Sequence, residues 1–209
     1  MTLHRRLGSG FVVLGIAFVV PALALLVFEP RMGFATAQDY FDPLLARKGW
    51  DSTIWAIADL TEIVYSLVLI LIAACLNSGQ IAADRLSTRC AGVTAAGAAG
   101  LFLLVGLIGI VAVDSATLVA ARGAALTDSS LASVIVIRSV LRVASVFMLG
   151  LFLMFFLLLA RSEKLLHPLV ILLGIFPAGA ALAMPWLLLP APLLFVPWFL
   201  LAGVNMLVT

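Results

Sequence analysis

Asp59 and Glu62 lie three residues apart inside "IWAIADLTEIVYSLVLILIAAC", a stretch from Ile54 to Cys75 that is otherwise almost wholly apolar. Residues at that spacing share one face of a helix. A second charged pair, Arg138 and Arg142, lies four residues apart in the similarly apolar "SLASVIVIRSVLRVASVFMLGLFLMFFLLLAR". A charge at the centre of a bilayer costs about 2.5–3.5 kcal/mol on insertion scales, and such residues usually face a bundle interior and find partners. Two roles follow for the four residues. They line a pocket, open to the outer side, that holds a small ligand or relays a proton, with Tyr65 beside Glu62. Alternatively, they form an outer-leaflet polar cluster that fastens two helices together, with Glu62 bonded to Thr61, Tyr65, Ser139 or water.

The elements that must position these groups are helical. The chain has 209 residues, of which 65% are hydrophobic and 11% charged, and its mean hydropathy is +1.27. Soluble domains carry roughly 45–50% apolar and about 25% charged residues, so lipid is the solvent for most of this chain. Six apolar segments each approach the length needed to cross a hydrocarbon core of roughly 30 Å at 1.5 Å per residue. They are Leu7–Phe28, Thr53–Leu76, Cys90–Val113, Ser130–Ala160, Leu165–Met184 and Leu193–Val208. None breaks into period-two alternation, which disfavours a β-barrel. "HRR" followed by an apolar run and "ALA" at Ala22 to Ala24 has features of a cleavable secretory signal. The run continues through Phe28, however, so an uncleaved first span is expected. The fold class is therefore all-α: one polytopic membrane domain over residues 1–209, a six-transmembrane-helix bundle.

Heights along the spans can be counted from the inner ends. With Arg161 as the end of the fourth span, Arg142 stands roughly 28 Å above it and Arg138 about 34 Å. With Asn77 as the end of the second, Glu62 stands at roughly 22 Å and Asp59 at about 27 Å. An arginine side chain in a helix leans toward the N-terminus, so Asp59 is the easier partner for either arginine and Glu62 is left over. Glu62 is thus the stronger functional candidate and Asp59 the structural one.

Arg5, Arg6, Arg85, Arg89, Arg161 and Lys164 fall on one side of the six spans. The other side holds Arg31, Arg47, Lys48 and Arg122 among Glu29, Asp39, Asp42, Asp51, Asp114 and Asp128. The positive-inside bias then places both termini in the cytoplasm. The one long outer loop, residues 29–52, contains "DYFDPLLARKGW", where Tyr40, Phe41, Leu44 and Leu45, followed by Trp50 and Trp55, mark an interfacial helix or else a lid or partner-docking surface over the outer face. In the third span, Gly92, Ala96 and Gly100 repeat every four residues, a pattern that lets helix backbones approach closely. It serves packing within the bundle, or else a homodimer face. Pro185, Pro190 and Pro192 suit a tight turn between the last two spans, while Pro177 and Pro197 kink helices.

Other chemistry has little support. Two cysteines (Cys75, Cys90) and two histidines (His4, His167) do not cluster as a metal site requires. There is no glycine-rich phosphate loop, no G-x-S-x-G elbow, no H-E-x-x-H and no lysine within a span. No cofactor is implied, and a net charge of +2 does not argue for nucleic acid. Glu62 with Tyr65 could do acid–base work, but no nucleophile accompanies them.

The second half resembles an uncharacterised bacterial family of six-span membrane proteins, known as domain of unknown function number forty-three eighty-six. The likeness rests on "LLLARSEKLLHPLVILLG", with Arg161, Ser162, Pro168 and Gly174, on "PWFLLAG", with Trp198 and Gly203, and on an acidic residue early in the second span, Glu62. Family members often carry an arginine and a glutamate early in the third span; this chain has Arg89 without the glutamate. The resemblance implies a six-helix fold and no particular activity. The expectation is a non-catalytic membrane protein, either an accessory subunit or a bundle that binds a small ligand or lipid, with the bilayer, a homo-oligomer or a larger membrane complex as partners. The alternative is a small-solute or proton-coupled transporter that uses the outer charged cluster.

Overall fold

The structure is a computed structural model that describes residues 3–23, 50–78, 86–121, 128–187 and 191–208. All the regular structure in these residues is helical: α1 (Leu3–Leu23), α2 (Trp50–Asn77), α3 (Leu86–Ala121), α4 (Asp128–Ser162), α5 (Pro168–Leu187) and α6 (Ala191–Val208). Four of them, α2 to α5, are long and apolar enough to cross a membrane. α3 and α4 run to 36 and 35 residues. At 1.5 Å per residue, each is about 50 Å long and overruns the hydrocarbon core. α3 continues past Val113 because "DSATLVAA" offers no glycine or proline to stop it. Pro185 lies inside α5 and not in the turn after it. Pro177 and Pro197 are also intrahelical, as membrane bundles tolerate. The expected interfacial helix at Tyr40 to Leu45 lies outside the described residues.

Each helix packs along the next in chain order, and α6 packs back along α1, so the six close into a ring. α1 supplies the centre. Its Leu7, Phe11, Leu14 and Phe18 follow the spacing that keeps one helical face inward, and all are buried. Phe18 stacks on Tyr65 of α2 (ring centroids 4.1 Å apart) and meets Phe195 and Phe199 of α6 and Phe102 of α3. Two turns away, Phe11 contacts Phe152 and Phe156 of α4 and Trp198 and Phe199 of α6. The interior is therefore a filled aromatic core. The α1–α6 seam closes at glycines: a Cβ on Gly203 would stand 2.8 Å from both the Gly8 carbonyl oxygen and the Val12 nitrogen. Gly174 likewise leaves room for Trp198, whose indole N–H donates to the Val170 carbonyl (3.0 Å).

One end of the ring gathers the start of α1, the end of α2, the start of α3, the α4–α5 junction and the end of α6. There Gly8 lies against Gly203 and Leu207, Gly92 against Asn77, and the His167 amide donates to Asn205 Oδ1 (3.0 Å). Arg5, Arg6, Arg89, Arg161 and Lys164 belong to this end. α4 stops there in a Schellman-type cap: the Leu165 amide donates back to the Ala160 carbonyl (2.9 Å), and Lys164 takes a left-handed backbone, φ 54°. Glycine usually fills that place, because a left-handed backbone costs other residues about 1–2 kcal/mol.

Tyr65 has a backbone task. Pro21 of α1 has no amide hydrogen, so the Ala17 carbonyl, four residues back, lacks its helical donor. The buried Tyr65 hydroxyl donates to that carbonyl (3.0 Å). Tyr65→Phe keeps the ring stack and leaves the carbonyl unsatisfied, so it is expected to lower stability by about 1–3 kcal/mol, measured by denaturant unfolding in detergent.

Candidate functional site

Within α2, Asp59 and Glu62 point into the bundle, each with only 5% of its surface exposed. Leu60, Val64 and Leu67 between and beyond them face outward. On α4, Arg138 is buried, and the Arg142 side chain is 37% exposed. The four meet as two rungs. Arg138 Nη2 donates to Asp59 Oδ1 in a buried ion pair. Arg142 donates to Glu62 Oε1 through both Nε (3.0 Å) and Nη2 (2.6 Å). Arg138 Nη2 also lies 3.8 Å from Glu62 Oε2, which ties the rungs together. Two positive and two negative groups make the cluster neutral as it stands.

The helices that carry these charges do not pack along one another; each packs along α3, which lies between them. Two glycines of α3 make the crossing possible. A Cβ on Gly109 would fall on the Asp59 carboxyl, 2.5 Å from its Cγ. One on Gly106 would stand 2.8 Å from the Asp59 carbonyl oxygen and 3.4 Å from Glu62 Cβ. Ser66 of α2 and Ser145 of α4 extend the two polar stripes by one turn and are fully buried. The Ser145 hydroxyl donates to the Arg142 carbonyl (2.8 Å). Glu62 Oε2, Arg138 Nε and Ser66 Oγ are buried without a hydrogen bond.

The arrangement departs from the heights counted along the sequence. Glu62 is not left over: it takes Arg142, and Asp59 takes Arg138. The counted heights differ by roughly one helical turn, ~5.4 Å, and the long guanidinium arm closes that gap. Tyr65 sits one turn from Glu62 but spends its hydroxyl on α1, so it stands beside the cluster and not in it. The glycine repeat also divides differently. Gly92 is buried against Asn77, whereas Ala96 and Gly100 are exposed and Gly100 has open space beside it. Ala91, Ala95, Ala98 and Ala99 face the core instead. Gly106, Gly109, Ser66 and Ser145 are the site residues that spacing in α3, α2 and α4 did not single out. The available signal was that Gly106 and Gly109, at i and i+3, lie on the face continuing Ala98, Ala99, Phe102 and Val105.

Chemically, the site holds two buried carboxylates against two arginines, of which Arg142 is partly exposed. Among the described residues, no three His, Cys, Asp or Glu side chains come together. No protein family, curated protein or solved structure matches the chain.

Removing one member of a buried pair strands the other charge, which typically costs 3–5 kcal/mol, while an apolar pair of similar volume can be neutral. Arg138→Met alone should destabilise by about 3–5 kcal/mol, and Asp59→Leu/Arg138→Met by much less than the two single changes added together. Gly109→Ala should displace Asp59 and weaken the same coupling. Double-mutant cycles of unfolding in detergent measure all three.

Proposed function

We propose that this chain is a non-catalytic integral membrane protein of the bacterial inner membrane, an accessory subunit or a bundle that binds lipid or a small ligand. In this reading all six helices of the ring span the bilayer and both termini are cytoplasmic. Four span-capable helices, the closure of the ring by α1 and α6, and the gathering of Arg5, Arg6, Arg89, Arg161 and Lys164 at one end support that placement.

The observation that carries the reading is the closed cluster. Both buried carboxylates are already held by buried or half-buried guanidinium groups, beside a core filled with aromatic rings. Such a cluster fixes the register of α2 and α4 and offers no free acid or base to a substrate. A second reading, a small-solute or proton-coupled transporter, rests on two details: Arg142 is partly exposed, and Glu62 Oε2 makes no hydrogen bond.

Glu62→Gln separates the two. It removes the charge and keeps the shape, so under the first reading the protein loses stability but still carries the same lipids or second polypeptide in native mass spectrometry after gentle extraction. Proton or solute flux in proteoliposomes that the wild type supports and Glu62→Gln abolishes would instead make the cluster a transport site.

A further inference from the structure

At the basic end of the ring, the loop from α4 to α5 opens onto a cavity of about 760 Å³. Arg161, Lys164 and His167 are exposed at its mouth, and Asn205, Leu165, Leu166, Ile171, Leu172 and Ile175 also line it. Glu163, the acidic residue of this loop, is not among the lining residues. We infer that this cavity is a binding site for one anionic phospholipid, its phosphodiester held by Arg161, Lys164 and His167 and an acyl chain lying along α5. The inference uses the membrane placement of α4 and α5 proposed above and does not depend on the role of the charged cluster.

The shape of the site matches both parts of such a molecule. Pro168, Ile171, Leu172 and Ile175 follow i, i+3, i+4, i+7 spacing, so they form one stripe that climbs roughly 10 Å from the charged mouth along α5. Leu172 and Ile175 on that stripe are more than half exposed. A soluble phosphate would use the mouth and leave that apolar wall uncovered. A lipid uses both, at the depth where headgroup and hydrocarbon meet.

The donors that remain for an anion are side chains. The His167 ring caps α5: its Nδ1 accepts from the Leu169 amide (3.3 Å), which leaves Nε2 as the ring's donor in the neutral form. The amides of Val170 and Ile171 are already bonded to the His167 carbonyl (2.9 and 3.2 Å), so side chains and not the helix terminus must hold the anion. Lys164 supplies the independent sign. It occupies the left-handed position of the α4 cap, where glycine would relieve the backbone, and its side chain lines the cavity. Its position trades local backbone comfort for a cation at the mouth.

That trade gives a test in which structure and binding move in opposite directions. The full-length protein in detergent is titrated with phosphatidylglycerol and, separately, with phosphatidylcholine of the same acyl chains, and bound lipid is counted by native mass spectrometry. One phosphatidylglycerol should be retained under conditions that strip phosphatidylcholine. Lys164→Gly should melt no lower than wild type yet bind phosphatidylglycerol about fivefold more weakly, as expected for one interfacial charge. Arg161→Gln should do the same, and Lys164→Gln provides the same charge loss without altering backbone freedom. Glu62→Gln should leave retention unchanged; loss there would implicate the charged cluster and not this cavity. Equal retention of the two lipids, or undiminished retention in both Lys164 variants, would refute the site. Displacement by millimolar inorganic phosphate would assign the mouth to a soluble anion and overturn the lipid assignment.

Discussion

Four charges inside an apolar bundle must be neutralised where they stand, and most of the upper half of this molecule follows from how that is done. The acids and the arginines sit on helices that do not adjoin, with α3 between them. Neutralisation therefore needs long arms on one side and an absence of side chains in the middle. Arginine provides the first and Gly106 and Gly109 the second. Because the two rungs repeat at i, i+3 on α2 and i, i+4 on α4, sliding either helix by one turn would pair only one of them. The ladder thus fixes the register between helices whose apolar surfaces could pack in several ways, the best-attested use of a buried polar group.

The aromatic core imposes a complementary constraint from α1. A helix containing Pro21 cannot satisfy its own Ala17 carbonyl, and a carbonyl buried among packed side chains needs a donor from elsewhere in the protein. The Tyr65 hydroxyl closes that gap from α2, and the same ring stacks on Phe18. One side chain therefore joins the proline-containing end of α1 to the helix that carries the acids. This is why Tyr65, which beside Glu62 in the sequence suggests a proton donor, belongs to the scaffold.

The six helices among the described residues fall where apolar runs mark them, and for α2 to α5 length and apolarity suffice for a membrane span. The charged residues were legible for the opposite reason: each is an anomaly that a membrane helix does not carry idly. What spacing did not reveal was direction. α3 is apolar or small almost all the way round, so nothing in "GVTAAGAAG" marks which face meets protein and which meets lipid. The repeat of Gly92, Ala96 and Gly100 turned outward after its first member, while the glycines that matter lay further along, where only the position of Asp59 on another helix gives them meaning. Pairing was half legible for a related reason. Counting residues fixes height along a helix but assumes that helix ends are level, and a side chain as long as arginine's makes that assumption too coarse to choose between Asp59 and Glu62.

The two ends of the ring solve the problem of charge in opposite ways, and the contrast bears on what the molecule is for. At one end, cations and anions are matched within the protein, so the field they project is small and a passing ion gains little by approaching. At the other, Arg161 and Lys164 line an open cavity whose wall is hydrocarbon. Charges matched internally hold a fold together; cations left at an apolar opening attract an anion that also has an apolar part. The matched charges thus stand at the end of the ring away from the open cavity. α4 connects the two, carrying Arg138 and Arg142 near its start and the Lys164 cap just beyond its end, so whatever occupies the basic mouth rests on a helix already locked in register by the ladder above it.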